Sequence, residues 1–172
     1  NREVTKKDAM DPARLRLALV QLSSGSDPVE NLAVVSEKIA EAAERGAQLV
    51  VFPEATMACY GSSLSELAEP LDGPFASGVR AAAVASAGIA VVGIFPPAPL
   101  DRVRTTLLST GPHVEASYDK IHLFDAFGAR ESDTVVAGDS LVTIDALGTR
   151  IGFATCYDLR FADQFIELGR RD

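Results

Sequence analysis

The 172-residue sequence contains only two cysteines and two histidines. Cys59 and Cys156 are far apart and form no C-x-x-C pair, which excludes a disulfide-rich scaffold and favours a reducing, cytoplasmic location. None of these four residues lies at the spacing of a zinc cluster, so we expect neither a metal nor another cofactor.

Basic runs and long apolar runs are also absent. The formal net charge is −8, whereas proteins that bind nucleic acid concentrate Lys and Arg on one surface, so nucleic acid is not an expected partner. The longest apolar runs are interrupted by proline and fall short of the roughly 20 residues that span a bilayer, so no membrane partner is expected. Residues 1–13 lack the apolar core of a signal peptide and are predicted to form a polar tail.

The remaining residues, 14–172, are predicted to form one domain, because 47% of the chain is hydrophobic and short β-rich runs alternate with helical segments. This alternation predicts an α/β fold with layers of helix and sheet and mixed strand directions. The chain stops just after a helix, where a strand would normally follow, so we expect a domain that is incomplete at its C-terminus. The predicted strands are Leu15–Leu22 (buried), Leu49–Phe52, Ile89–Phe95, two around Gly111-Pro112 and two around a turn at residues 146–149. The predicted helices begin at Pro28, at Pro74 and near Phe161.

Three of the predicted strands end at chemically reactive side chains. Glu54 follows the second strand, Lys120 ends the "ASYDK" run and Cys156 ends "IGFATC", while Glu131 lies in the irregular segment 120–138. Each residue alone is more simply a solvated charge or a small core residue. Rigid strands position catalytic groups at the loops where they end, so the set favours one site.

The combination also makes chemical sense. A cysteine attacks as the thiolate, and its usual pKa of about 8.5 means that a base or a cation must activate it. Glu54 could take the thiol proton, and Lys120 could stabilise negative charge on sulfur and on an oxyanion. The backbone N–H of Tyr157 could complete the oxyanion site.

Three segments then carry a family resemblance. The runs "VVFPEA", "YDKIHLFDAFGARES" and "IGFATCYDLRF" resemble, in order, the three signature blocks of the nitrilase superfamily of carbon–nitrogen hydrolases. The resemblance implies an αββα sandwich and a homodimer or higher homo-oligomer. It also implies a triad of Glu54 as base, Lys120 as oxyanion stabiliser and Cys156 as nucleophile. It further implies that Glu131 supports the triad and that Tyr157 contributes its backbone amide.

Within this superfamily the sequence is most similar to Nit-type amidases. These release ammonia from the terminal amide of small carboxylated molecules through a thioester, so a small-molecule amide is the expected substrate. A nitrilase and an N-carbamoyl amidohydrolase are the alternatives within the superfamily. Outside it, a Cys156–His122 hydrolase and an inactive, self-associating fragment remain open. The loop "ATMACYG" after Glu54 leaves the substrate undecided.

Overall fold

The computed structural model describes residues 15–171, so the predicted tail 1–13 and both ends of the predicted domain lie outside the described residues. The four helices described are α1 (Pro28–Glu44), α2 (Leu64–Leu67), α3 (Pro74–Ala85) and α4 (Ala162–Leu168). Two short 3₁₀ helices cover Glu131–Asp133 and Cys156–Arg160. The strands described are β1 (Leu17–Leu19), β2 (Leu49–Val51), β3 (Ile89–Ile94), β4 (Pro97–Ala98), β5 (Arg102–Val103), β6 (Thr106–Gly111), β7 (Val114–Asp119), β8 (Asp125–Ala126), β9 (Ala129–Arg130), β10 (Thr143–Ala146) and β11 (Thr149–Gly152).

Five strands form the main sheet, in the order β1-β2-β3-β6-β7. Strands β1, β2 and β3 run parallel to one another, and β6 and β7 continue the sheet as an antiparallel pair. The mixed strand directions and the hairpin around Gly111-Pro112 that the sequence predicts are therefore confirmed. The two strands predicted around residues 146–149 also pair, as the β10–β11 hairpin.

Helices α1 and α3 cover one face of this sheet. Asp27 caps α1 by accepting a hydrogen bond of 2.8 Å from the N–H of Val29, and Pro28 occupies the first turn, where its missing N–H costs nothing. The apolar side of α1, which includes Val35 and Ile39, is buried in the larger hydrophobic core together with α3 and the inward side of the strands. The helix predicted to begin at Pro28 is confirmed.

The opposite face of the sheet packs against the β10–β11 hairpin. Leu107 and Tyr118 of the sheet and Phe153 after β11 are buried in this second core, and Ile144 and Ile151 of the hairpin pack against it. Helix α4 adjoins this layer. The layers are thus helices, sheet, hairpin and helix, which confirms the predicted α/β class with helices flanking a central sheet.

The prediction of a buried first strand is wrong. Strand β1 is shorter than the predicted Leu15–Leu22, and it pairs with β2 at the edge of the sheet. Ala18 faces the helical core, whereas Leu17 and Leu19 point to the other side and are 50% and 75% exposed. Side chains alternate across a strand, so an edge strand covered on one side has an exposed side even where its sequence is apolar.

No helix in residues 15–171 is long and apolar enough to cross a membrane.

Candidate active site

Glu54 follows β2 in a turn that packs directly on β3. The N–H of Phe52 bonds to the carbonyl of Val91 at 2.9 Å, which carries the pairing with β3 up to Pro53. A Cβ added at Gly93 would overlap the backbone carbonyl of Glu54, so the absence of a side chain at Gly93 lets the turn approach. The Glu54 side chain is only 10% exposed.

Lys120 comes directly after β7 and is almost completely buried. Its N–H donates to the carbonyl of Thr105, and its own carbonyl accepts from the N–H of Gly138, both at 2.8 Å. These two bonds fix the backbone of Lys120 between two other segments. The side chain is 1% exposed and lies within the fold instead of reaching solvent.

The Lys120 ammonium lies between two glutamates. Nζ is 2.9 Å from Oε1 of Glu54 and 2.9 Å from both carboxylate oxygens of Glu131. Glu131 is itself held by the N–H of Phe124, which donates to Oε2 at 2.6 Å. Burial lowers the pKa of Lys120, but the nearby carboxylates of Glu131 and Glu54 outweigh burial and raise it overall, so the ammonium stays charged.

Glu54 and Glu131 differ in how firmly they are bound. Glu131 accepts directed hydrogen bonds on both oxygens. Oε1 of Glu54 is shielded from solvent and, among the described residues, receives no well-directed hydrogen bond despite the nearby ammonium. A shielded oxygen with spare accepting capacity is suited to taking a proton from a neighbouring group.

Cys156 begins a 3₁₀ helix and has φ of +50°, a left-handed conformation that is unfavourable for a residue with a Cβ. The residue is exposed. Partial burial of the thiol and the charge of Glu54 raise the pKa of Cys156, while Lys120 and a hydrogen bond from the Tyr157 backbone N–H act in the opposite direction. The raised pKa favours the thiol at neutral pH, so nucleophilic attack would need a base.

These side chains line one cleft of about 380 Å³. The structure thus brings together Glu54, Lys120, Glu131 and Cys156, which the sequence analysis selected from separate strand ends and a loop. It also adds residues that the analysis missed, among them Tyr60 from the loop after Glu54. The complete lining is Glu54, Tyr60, Leu64, Lys120, Phe124, Ala129, Arg130, Glu131, Thr134, Val135 and Cys156.

The buried carboxylate of Asp158 connects the segments that carry Lys120 and Cys156. Oδ2 accepts from the Tyr118 hydroxyl at 2.6 Å and from the N–H of Thr155 at 3.0 Å. Oδ1 accepts from the backbone N–H of His122 at 2.9 Å. Residues on both sides of the lysine and the cysteine are therefore held by one fully buried side chain.

His122 lies outside the cleft lining. Its Nδ1 is 2.9 Å from Oδ1 of Asp158, and its ring stacks on Phe161 with centroids 3.6 Å apart. These contacts give His122 a structural partner and do not favour the alternative in which it activates Cys156. In the part of the chain that the structure describes, no group of three or more His, Cys, Asp or Glu side chains is arranged to hold a metal ion.

Comparison with known proteins places the chain in a family. Residues 16–172 match the carbon–nitrogen hydrolase family model. The chain therefore belongs to the carbon–nitrogen hydrolase family, as the three sequence blocks predict.

Curated relatives extend beyond this chain. Hydrolase Rv0480c of Mycobacterium tuberculosis is 49% identical over 162 residues, which are 91% of this chain and 58% of that protein. Omega-amidase NIT2 of Homo sapiens is 34% identical over 156 residues, covering 86% of this chain and 56% of that protein. The chain thus spans somewhat more than half the length of these relatives.

Solved structures show the same fold. XC1258 of Xanthomonas campestris, a CN-hydrolase superfamily protein with an arsenic adduct in its active site, superposes with a TM-score of 0.77 at 30% identity, covering 86% of this chain and 55% of that one. A variant of the amidase from Nesterenkonia sp. AN1, with acrylamide added to its active site cysteine, gives a TM-score of 0.75 at 25% identity, covering 88% and 61%.

Proposed function

We propose that this protein is an amidase that hydrolyses the terminal amide of a small carboxylated molecule through a thioester on Cys156. The observation that carries the proposal is the position of Lys120, whose Nζ is 2.9 Å from Glu54 and from Glu131 in the cleft that also contains Cys156. Four groups with complementary roles in acyl transfer thus meet at one opening to solvent.

In the first half-reaction, Glu54 takes the thiol proton while Sγ of Cys156 attacks the carbonyl carbon of the amide. The raised pKa of Cys156 supports this order, because little thiolate would exist before a base acts. The carbonyl π electrons move to oxygen, and Lys120 and the Tyr157 N–H stabilise the resulting oxyanion. Glu54 then protonates the nitrogen, the C–N bond breaks, and ammonia leaves the thioester.

In the second half-reaction, a water molecule replaces the ammonia. Glu54 removes one of its protons as the oxygen attacks the thioester carbon, and the same two donors stabilise the second oxyanion. The C–S bond then breaks, the carboxylic acid is released, and the proton returns to the sulfur. Glu131 holds Lys120 in position and balances its charge through both steps, because it keeps its bonds to Lys120 Nζ and to the N–H of Phe124.

The proposed substrate class rests on the similarity to omega-amidase NIT2 and on the size of the cleft. A volume of about 380 Å³ suits a small molecule. The covalent adduct at the active site cysteine of the Nesterenkonia amidase supports the role assigned to Cys156. Homodimerisation and a cytoplasmic location remain proposals that rest on the family resemblance and on the cysteine content.

Ammonia release from succinamate, the monoamide of succinate, tests the proposal in the intact protein. We expect Cys156→Ala to reduce the rate by at least about a thousandfold. The matched control is Cys59→Ala, which removes the chain's other thiol and should stay within about twofold of the wild type. Unchanged ammonia release in Cys156→Ala would show that the assignment is wrong, and a preference for a nitrile or an N-carbamoyl compound would select an alternative.

A further inference from the structure

The cleft contains one cation that the proposed chemistry does not use. Its charged lining residues are Glu54, Lys120, Arg130 and Glu131. Lys120 is paired with the two glutamates and is already assigned to the oxyanion in the proposed reaction. Arg130 is therefore the cleft-lining cation, among the described residues, that is available to a ligand.

The Arg130 guanidinium is close to the cleft but only weakly paired. Its Nε is 3.5 Å from Oδ1 of Asp133, and the two side chains are 70% and 64% exposed. An ion pair of this kind contributes little free energy, so a ligand can replace Asp133 at small cost. Hydrogen bonds from Ser132 lower the pKa of the Asp125 carboxyl, and the charge of Arg130 adds to this effect.

The backbone that carries Arg130 is well fixed. Arg130 pairs with Asp125 across the β8–β9 hairpin. The carboxylate of Asp125 accepts hydrogen bonds from the N–H and the hydroxyl of Ser132 at 3.0 and 2.6 Å. The next residue, Glu131, is bound to Lys120. These contacts fix the backbone of Arg130 relative to the reacting groups. Its long side chain is 70% exposed and can still change conformation to meet a ligand.

We propose that Arg130 is a specificity-determining residue, which binds the carboxylate of the substrate at the end remote from the scissile amide. This inference rests on the proposed function. Guanidinium matches a carboxylate through two parallel hydrogen bonds, which an ammonium cannot reproduce. The apolar side chains of Phe124, Ala129 and Val135 supply walls for the methylene groups between the two ends of such a substrate.

The electrostatics of the chain favour such a cation for binding an anionic substrate. The formal net charge is −8, and the cleft contributes two carboxylates against the single ammonium of Lys120. An approaching carboxylate would meet a negative potential at this opening without Arg130. A neutral amide of the same length gains nothing from the guanidinium, so the residue discriminates between the two.

Turnover of succinamate and butyramide by the intact protein tests this role, because butyramide has a methyl group in place of the carboxylate. In Arg130→Met we expect the ratio of kcat/KM for succinamate to that for butyramide to fall about tenfold, mainly through KM. Arg130→Lys should recover part of the loss. The control is Arg170→Met, since Arg170 also pairs weakly at i,i+3, 3.7 Å from Glu167 and 73% exposed. A ratio in Arg130→Met within about twofold of the control would overturn the inference.

Calorimetry with succinate separates this inference from the proposed reaction, because product binding needs no turnover. In the Cys156→Ala background we expect Arg130→Met to weaken succinate binding about tenfold. Succinate binding that is absent, or equal with and without Arg130, would overturn the role of Arg130 even if Cys156 proves essential. Ammonia release that persists in Cys156→Ala would instead overturn the proposed function.

Discussion

The hydroxyl of Tyr118 donates a 2.6 Å hydrogen bond to Oδ2 of Asp158, and both side chains are fully buried. Tyr118 lies two residues before Lys120, and Asp158 lies two residues after Cys156. One bond thus connects the two segments that carry the proposed cation and nucleophile. Gln164 of α4 extends this connection, since its Nε2 donates to the same hydroxyl at 2.8 Å.

Tyr118→Phe keeps the ring in the core but removes the hydroxyl. Asp158 then loses a donor and Gln164 loses an acceptor, so we expect the free energy of unfolding to fall by about 1–3 kcal/mol. Urea denaturation measures the change. Tyr157→Phe is the control, because the Tyr157 hydroxyl makes no hydrogen bond within the described residues. Equal stability of the two variants would contradict a structural role for the Tyr118–Asp158 bond.

Gly93→Ala tests how β3 positions Glu54. A methyl group there would overlap the carbonyl of Glu54, so the turn must move or the sheet must distort, at a cost of about 1–3 kcal/mol. We expect both thermal stability and amidase rate to fall. Gly88→Ala is the control, since a Cβ at Gly88 has ordinary contacts of 3.6 Å or more. A Gly93→Ala protein with wild-type rate and stability would disprove the close packing.

Lys120→Met leaves Glu54 and Glu131 without their shared cation. Because both carboxylates are largely buried, we expect a loss of about 3–5 kcal/mol in the free energy of unfolding at neutral pH. The double variant Lys120→Met/Glu131→Gln should recover part of the loss in urea denaturation. A double variant less stable than the single one would contradict charge imbalance as the cause.

The pKa of the Cys156 thiol should depend on the charge of Glu54. Burial and the charge of Glu54 raise the pKa of the thiol, so its midpoint should lie above the usual value of about 8.5. Glu54→Gln removes the neighbouring negative charge, and the midpoint should move to lower pH. The pH dependence of thiolate absorbance in a Cys59→Ala background measures the Cys156 signal. A midpoint that stays in place or rises in Glu54→Gln would contradict this electrostatic coupling.

Local patterns in the sequence were sufficient to predict the elements that position the site. Pro28 marked the start of α1, and the apolar runs before Glu54 and Cys156 marked the strands that place them. Composition and the alternation of elements predicted the α/β class. These features depend on near neighbours in the chain, which the sequence displays directly.

Contacts between distant segments could not be predicted in this way. Tyr118 and Asp158 are 40 positions apart, and each residue alone is compatible with many environments. The exposure of Leu17 and Leu19 depends on which face of an edge strand is covered, which the apolar run does not reveal. The position of Arg130 at the cleft was also missed, because it depends on how the β8–β9 hairpin lies against the segments that carry Glu54 and Cys156.

The left-handed backbone at Cys156 sets the stability of the fold against the presence of a thiol. Glycine adopts a φ of +50° without the steric penalty that a Cβ imposes, which is about 1–2 kcal/mol. At this position the chain would therefore be more stable with glycine, which lacks the thiol of the proposed nucleophile. The proposed role of Cys156 thus opposes stability here, and the bond from the N–H of Thr155 to the buried Asp158 helps to hold the strained backbone.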